Sequence, residues 1–200
     1  MKVNLLSDCH TEFWPGPELD PGEGEVLVLA GDIGVAADIY SVDGEQYRQF
    51  LRKADKGYER VYYVLGNHEH YYGDILTSVD ILRKWVKTEG LQSVRILDNS
   101  SEYYNGVHFV GGTMWADFGG DPAAMELCHQ RMNDYNTINK AGVPLKPADT
   151  LKAHQDTLEW WEQSLWTLHG PIVLVSHHAP SQHSIKGRYT GEASPAYFTD

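Results

Sequence analysis

Residues 61–70 read Val61-Tyr62-Tyr63-Val64-Leu65-Gly66-Asn67-His68-Glu69-His70. Five strand-forming residues run together, a glycine stops them, and polar side chains follow at once. A short apolar run of this kind suits a strand buried on both faces. The same grammar recurs elsewhere in the chain. Val3 to Ser7 leads into Asp8-Cys9-His10, Val26 to Ala30 into Gly31-Asp32, and Ile172 to Ser176 into His177-His178-Ala179-Pro180. Four strand ends therefore each deliver Asp, Asn or His just past an apolar run. In open α/β sheets, ligands bind beyond that edge.

The stretches between these strands carry helical spacing. Gln46 to Lys56 and Asp74 to Glu89 are predicted helices. In the second, Ile75, Val79, Leu82 and Val86 form the apolar stripe and Gly90 is the stop. Pro147 to Leu168 holds a third, with Leu158, Trp161, Leu165 and Leu168 on one face. Ser93 to Trp115 reads as extended strands with a turn at Asn105-Gly106, and Gly119 to Asn139 as a helical insertion beside the site. Strands alternating with helices imply an α/β fold, with a second β-rich layer from the middle block. With 200 residues and no repeat or linker, a single domain over 1–200 is expected.

The polar residues at the strand ends suit metal binding. Asp8 and His10 lie two apart, so an extended chain points them to one side. Asp32 follows a glycine and presents a carboxylate able to bridge two cations. Asn67 offers a neutral carbonyl oxygen and His177 an imidazole. Mixed oxygen and nitrogen donors suit Mn, Fe, Ni or Zn better than Ca or Mg. Taken singly, Asp8, Asp32 and Asn67 are ordinary cap and turn residues. Caps do not dictate which strand ends carry which residue type, and the joint pattern favours a site. Cys9, between two candidate ligands, points away and is core filler. His70, His178 and His183 are at least as well placed on the surface, and Arg188 in a solvated loop. Met114-Trp115-Ala116-Asp117 is expected to shape a wall of the cleft.

Composition narrows the partners. The formal net charge is −12, which repels a polyanion, so extended nucleic-acid binding is not expected. Bound cations can reverse that field locally and admit a small phosphorylated substrate. Two cysteines, Cys9 and Cys128, make no disulfide framework, and a reduced, cytoplasmic setting is expected. No apolar run approaches the ~20 residues that span a bilayer.

Ser7-Asp8-Cys9-His10, Gly31-Asp32, Gly66-Asn67-His68-Glu69 and a strand ending in His177-His178 resemble, in that order, the calcineurin-like metallophosphoesterase family. The resemblance covers nearly the whole chain. The flanking Gly-Thr-Met-Trp-Ala-Asp-Phe, Met-Asn-Asp-Tyr and Arg-Tyr-Thr-Gly-Glu look like a small bacterial or phage subgroup. It implies a metallophosphoesterase-like β-sandwich flanked by helices, holding two divalent transition metals. Asp8, His10 and Asp32 resemble the ligands of one metal, and Asp32, Asn67 and His177 those of the other, with Asp32 as the bridge. Position alone leaves His177 and His178 open; His177 is favoured because it comes directly off the strand. His68 resembles the histidine that contacts the phosphate and assists the leaving oxygen, and His178 and Arg188 are candidate substrate contacts. The implied activity is hydrolysis of a phosphate mono- or diester by a metal-activated hydroxide. The family's later Gly-His-x-His has no counterpart, so the chain is expected to be short at its C-terminus. A weakly active or non-catalytic metal- or phosphate-binding member is the competing expectation.

Overall fold

The computed structural model describes residues 1–20 and 24–184. Arg188 lies outside the described residues. Strands β1 (Val3–Leu6), β2 (Val26–Ala30), β3 (Arg60–Val64) and β4 (Val94–Ile96) form a parallel sheet in that order. Strands β5 (Ser100–Tyr104), β6 (Val107–Gly111) and β9 (Ile172–Val175) form a second sheet, with β5 antiparallel and β9 parallel to β6. The β5–β6 hairpin turns at Asn105-Gly106, both at positive φ, as the asparagine–glycine pair predicts. A short hairpin, β7 (Asn139–Lys140) and β8 (Val143–Pro144), stands apart.

The alternation of side chains along β2 and β3 builds two cores from one sheet. Leu27, Leu29, Val61, Tyr63 and Leu65 face the helices α1 (Glu45–Gly57) and α2 (Ser78–Glu89). Val26, Val28, Ala30, Tyr62 and Val64 face the second sheet and pack on Phe109 and Val175, with Tyr62 stacked on Phe109 at 4.2 Å. On the far side of the second sheet, Trp161 of α5 (Pro147–Leu165) packs on Val110 and Met114. The result is the expected mixed α/β sandwich flanked by helices.

Three local readings are corrected. β1 and β9 are not buried on both faces: among the described residues each is an edge strand, and Leu5 and Leu174 are exposed. Helix α2 begins at Ser78 and not at Asp74, because the Asp74 carboxylate accepts from the N–H groups of Leu76 and Gly142, and Ile75 N–H donates to Asn139. Those bonds hold the segment against the β7–β8 hairpin. Helix α5 ends at Leu165, while Leu168 still packs on the same core.

The stop at Gly90 gives a clean test of local chemistry. Its φ is 72° as the cap of α2, and a Cβ there would meet nothing within 4 Å. Gly90→Ala is therefore expected to destabilise through backbone conformation alone, by ~1 kcal/mol. Urea denaturation reads this directly, and an unchanged midpoint would contradict it.

The insertion between β6 and α5 contributes α3 (Pro122–Arg131) and α4 (Asp134–Thr137). Tyr135 and Ile138 pack with Val35 and Tyr71 into one buried cluster. This packing sets the insertion against the loop that follows β3.

Candidate metal centre

The parallel register brings the ends of β1, β2 and β3 level, with Leu6 opposite Leu29 and Ala30 opposite Val64. Pairing continues past the strands. Asp8 N–H donates to the Gly31 carbonyl at 3.0 Å and His10 N–H to the Asp32 carbonyl at 2.9 Å. Asp8, His10 and Asp32 all have positive φ (55°, 45° and 54°), so the extended backbone expected between Asp8 and His10 is replaced by left-handed residues. Asp, Asn and His are the side-chain-bearing types that tolerate this region best. Strained backbone of this kind gathers where a site must aim several groups at one point.

The two loop glycines are required by close approach. A Cβ on Gly31, which has a φ of 85°, would lie 2.4 Å from His177 Nδ1, and one on Gly66 would lie 2.2 Å from Asp32 Oδ1.

Asp32 is the hub. One ligand atom from each of Asp8, Asp32 and His177 lies within 4.8 Å of the others, and the same holds for His10, Asp32 and His68. Asp8 thus groups with His177 and not, as the resemblance implied, with His10, which groups with His68, while Asp32 belongs to both sets. His177 Nε2 lies 3.5 Å from Asp32 Oδ1 and 3.2 Å from Asn67 Oδ1, and His10 Nε2 lies 3.9 Å from Asp32 Oδ2.

These donors fit a cation. His177 Nδ1–H donates to the Ala30 carbonyl at 2.8 Å. In the neutral ring that leaves the Nε2 lone pair facing two oxygen acceptors. A cation between them would satisfy all three atoms, and an imidazole fixed through its other nitrogen is the usual state of a metal-ligating histidine. His178 is turned elsewhere. Its N–H donates to the Thr113 carbonyl and its ring lies 5.2 Å from Trp115.

A carboxylate that sequence reasoning passed over organises the other side. Glu12 Oε1 accepts from His10 Nδ1 at 3.1 Å and from His68 Nδ1 at 2.8 Å. Both rings therefore direct Nε2 away from Glu12. Burial pulls the His68 pKa down, but the Glu12 hydrogen bond and the charges of Asp32, Glu12 and Glu69 outweigh it and hold His68 above its ordinary range. Glu12 itself is held low: burial pushes it up, and the hydrogen bonds from His68, its own backbone and His10 overcome that.

Glu69 was also without a role in the sequence. It is fully buried. Its carboxylate accepts from the backbone N–H groups of Asp32, Ile33, Gly34 and Gly66 at 2.6–3.4 Å and from the Tyr63 hydroxyl at 2.5 Å. It ties the loop after β2 to the loop after β3. A carboxylate in this part of a site reads as one more ligand; here it is a brace.

The cleft has a volume of about 460 Å³ and is lined by Asp8, His10, Asp32, Asn67, His68 and His177 together with Tyr71, His178 and Arg131–Asp134 of the insertion. The insertion thus stands beside the site, as its sequence suggested. The surface placement weighed for His70 and His178 does not hold. Both are buried. Burial lowers the His70 pKa to about 4, and burial followed by the charge of His177 lowers His178 to about 3. His178 therefore offers the cleft a neutral ring. Met114 and Trp115 form no part of the cleft lining; Trp115 backs it, lying against His178 and His70. Cys9 is buried in the helix-side core, and burial, then Asp8 and Glu69, push its thiol up to about 11, which agrees with a filler role.

Among the described residues, no helix is long and apolar enough to cross a membrane. The family model for calcineurin-like phosphoesterases matches residues 1–198. An uncharacterised protein of Acanthamoeba polyphaga mimivirus is 27% identical over 216 residues, covering 98% of this chain and 73% of its own.

Proposed function

The chain belongs to the calcineurin-like phosphoesterase family, and on that premise we propose that it hydrolyses a small phosphate mono- or diester with two divalent transition-metal cations, Mn, Fe, Ni or Zn. The observation that carries this reading is the place of Asp32, which lies within ligand reach of Asp8 and His177 on one side and of His10 on the other, with His68 beside His10 as the proton donor. Asp8, Asp32, Asn67 and His177 would hold one cation, and Asp32 and His10 the other.

Cations bound there supply a water nucleophile at neutral pH and neutralise charge on the phosphoryl oxygens. The chain's own groups do the rest. Asp32 would be the ligand shared by both cations. Glu12 fixes His10 so that its Nε2 faces Asp32, and it holds the proton on His68 Nδ1. His68 in its charged form carries a second proton on Nε2. The Glu12 hydrogen bond favours that form, which suits a group that gives a proton to the departing oxygen. His178 offers the substrate a neutral ring. The acidic surface favours a small substrate over a polyanion. A cytoplasmic setting is consistent with two free, buried cysteines.

The test is hydrolysis of a chromogenic phosphodiester and of a phosphomonoester with added manganese, alongside the metal content of the protein. His68→Ala is expected to leave bound manganese unchanged and to slow turnover by ~10²–10⁴-fold, the range of a general acid. Loss of manganese with the side chain would make His68 a ligand and remove the acid from this mechanism. The His68–Glu12 pair favours catalysis over a non-catalytic scaffold, which has no use for a proton donor.

A further inference from the structure

We propose that Asp134 is a positioning residue: it fixes which end of the Asn67 amide faces His177 and Asp32, and so couples the α3–α4 insertion to cation binding. This rests on the metal-dependent reading above.

Asp134 is 2 % exposed and stands at the start of α4. Its Oδ1 accepts from Asn67 Nδ2 at 2.9 Å and from the Tyr71 hydroxyl at 2.8 Å. A buried carboxylate is unfavourable unless its partners compensate, and these are the bonds found for it; Oδ2 has no partner among the described residues.

The chemistry of the amide makes the contact consequential. The two ends of an asparagine side chain have nearly the same shape and opposite polarity. Only the carbonyl end ligates a cation; the NH2 end repels one. The Oδ1 atom that meets Asn67 already acts as the acceptor of the Tyr71 hydroxyl and offers no proton of its own, so only the NH2 end of the amide can turn toward it. The carbonyl end is then left pointing across the cleft, where Asn67 Oδ1 lies 3.2 Å from His177 Nε2. The same Asp134 oxygen holds Tyr71, whose ring is stacked 4.1 Å from that of His68. One carboxylate from the insertion thus steadies both the amide and the turn that carries His68. Asp134 is anchored from behind by the buried Tyr135 and Ile138.

The experiment compares Asp134→Asn and Asp134→Leu with the unmodified protein. An asparagine keeps an acceptor oxygen, which Tyr71 O–H and Asn67 Nδ2 both favour at the Oδ1 position; leucine keeps the bulk and no acceptor. Manganese affinity is read by titration. Asp134→Leu is expected to bind ~10–100-fold more weakly, the usual loss when a ligand's own partner is removed, and Asp134→Asn within about threefold of the unmodified protein. The second readout needs no metal. In 15N-labelled, metal-free protein the Asn67 side-chain amide, identified by its loss in Asn67→Ser, is expected to exchange slowly with solvent in the unmodified protein and in Asp134→Asn, and quickly in Asp134→Leu. Equal manganese affinity in all three proteins overturns the proposal, as does equal weakening by both substitutions. If Asp134→Leu does not fold, the unmodified protein decides: an Asn67 amide that exchanges as fast as an exposed asparagine overturns it. An unmodified protein that binds no manganese would overturn the metal-dependent reading instead, and the amide measurement would still judge Asp134.

Discussion

Asp32→Asn is expected to remove metal binding and turnover together while leaving the fold in place. The side chain belongs to both ligand groups, so in the proposed two-cation site its charge would act on both cations at once. Its Oδ1 also accepts from His68 N–H at 2.9 Å, and an asparagine oxygen can keep that bond. Asparagine also tolerates the φ of 54° at this position. The substitution therefore deletes one negative charge and one acceptor without straining the backbone. Losing an outer partner of a ligand weakens metal binding by ~10–100-fold, and loss of the shared ligand itself is expected to exceed ~100-fold. Turnover should fall further than with His68→Ala, which keeps the cations. Metal analysis after dialysis against dilute manganese, together with the thermal midpoint, distinguishes the cases. A variant that retains both metal and activity would show that Asp32 is not the bridge. A variant that unfolds would make its main role structural.

Glu69→Ala is expected to be the most damaging single substitution for stability. It would strip partners from four backbone N–H groups and the Tyr63 hydroxyl. Leaving a buried donor unsatisfied costs ~1–3 kcal/mol. Water entering the vacated space offsets part of the loss, and the remainder is still expected to exceed ~5 kcal/mol. That approaches the whole stability of a typical domain, ~5–15 kcal/mol. The expected outcome is insoluble protein, or a denaturation midpoint shifted far below that of Gly90→Ala. Glu69→Gln is expected to fall between them, since one NH2 would face donors it cannot accept from. If Glu69→Ala folds with near-normal stability but loses metal, the residue belongs with the ligands and the brace assignment is wrong.

The four strand ends, the two-sided alternation of β2 and β3, the Asn105-Gly106 turn and the Gly90 stop were all legible in the sequence, because each is written in residues within a few positions of one another. The gathering of Asp8, His10, Asp32 and Asn67 at one sheet edge followed from the same local signals, since parallel strands of similar length end level, whereas His177 reaches them from the end of β9 in the other sheet. Tertiary structure alone decided the rest. Glu12 reaches His68 across 56 positions, Asp134 reaches Asn67 across 67, and Glu69 reaches the N–H of Asp32 across 37. No period or cap encodes such pairings; they depend on the register of the sheet and on where the insertion docks. The orientation of His177 rather than His178 toward Asp32 has the same origin, because the Ala30 carbonyl that fixes the His177 ring belongs to a strand of the other sheet. The exposure of β1 is likewise a property of its place at an edge. Local spacing specifies which faces and ends a strand offers, whereas the partners those groups meet are set by packing between segments distant along the chain.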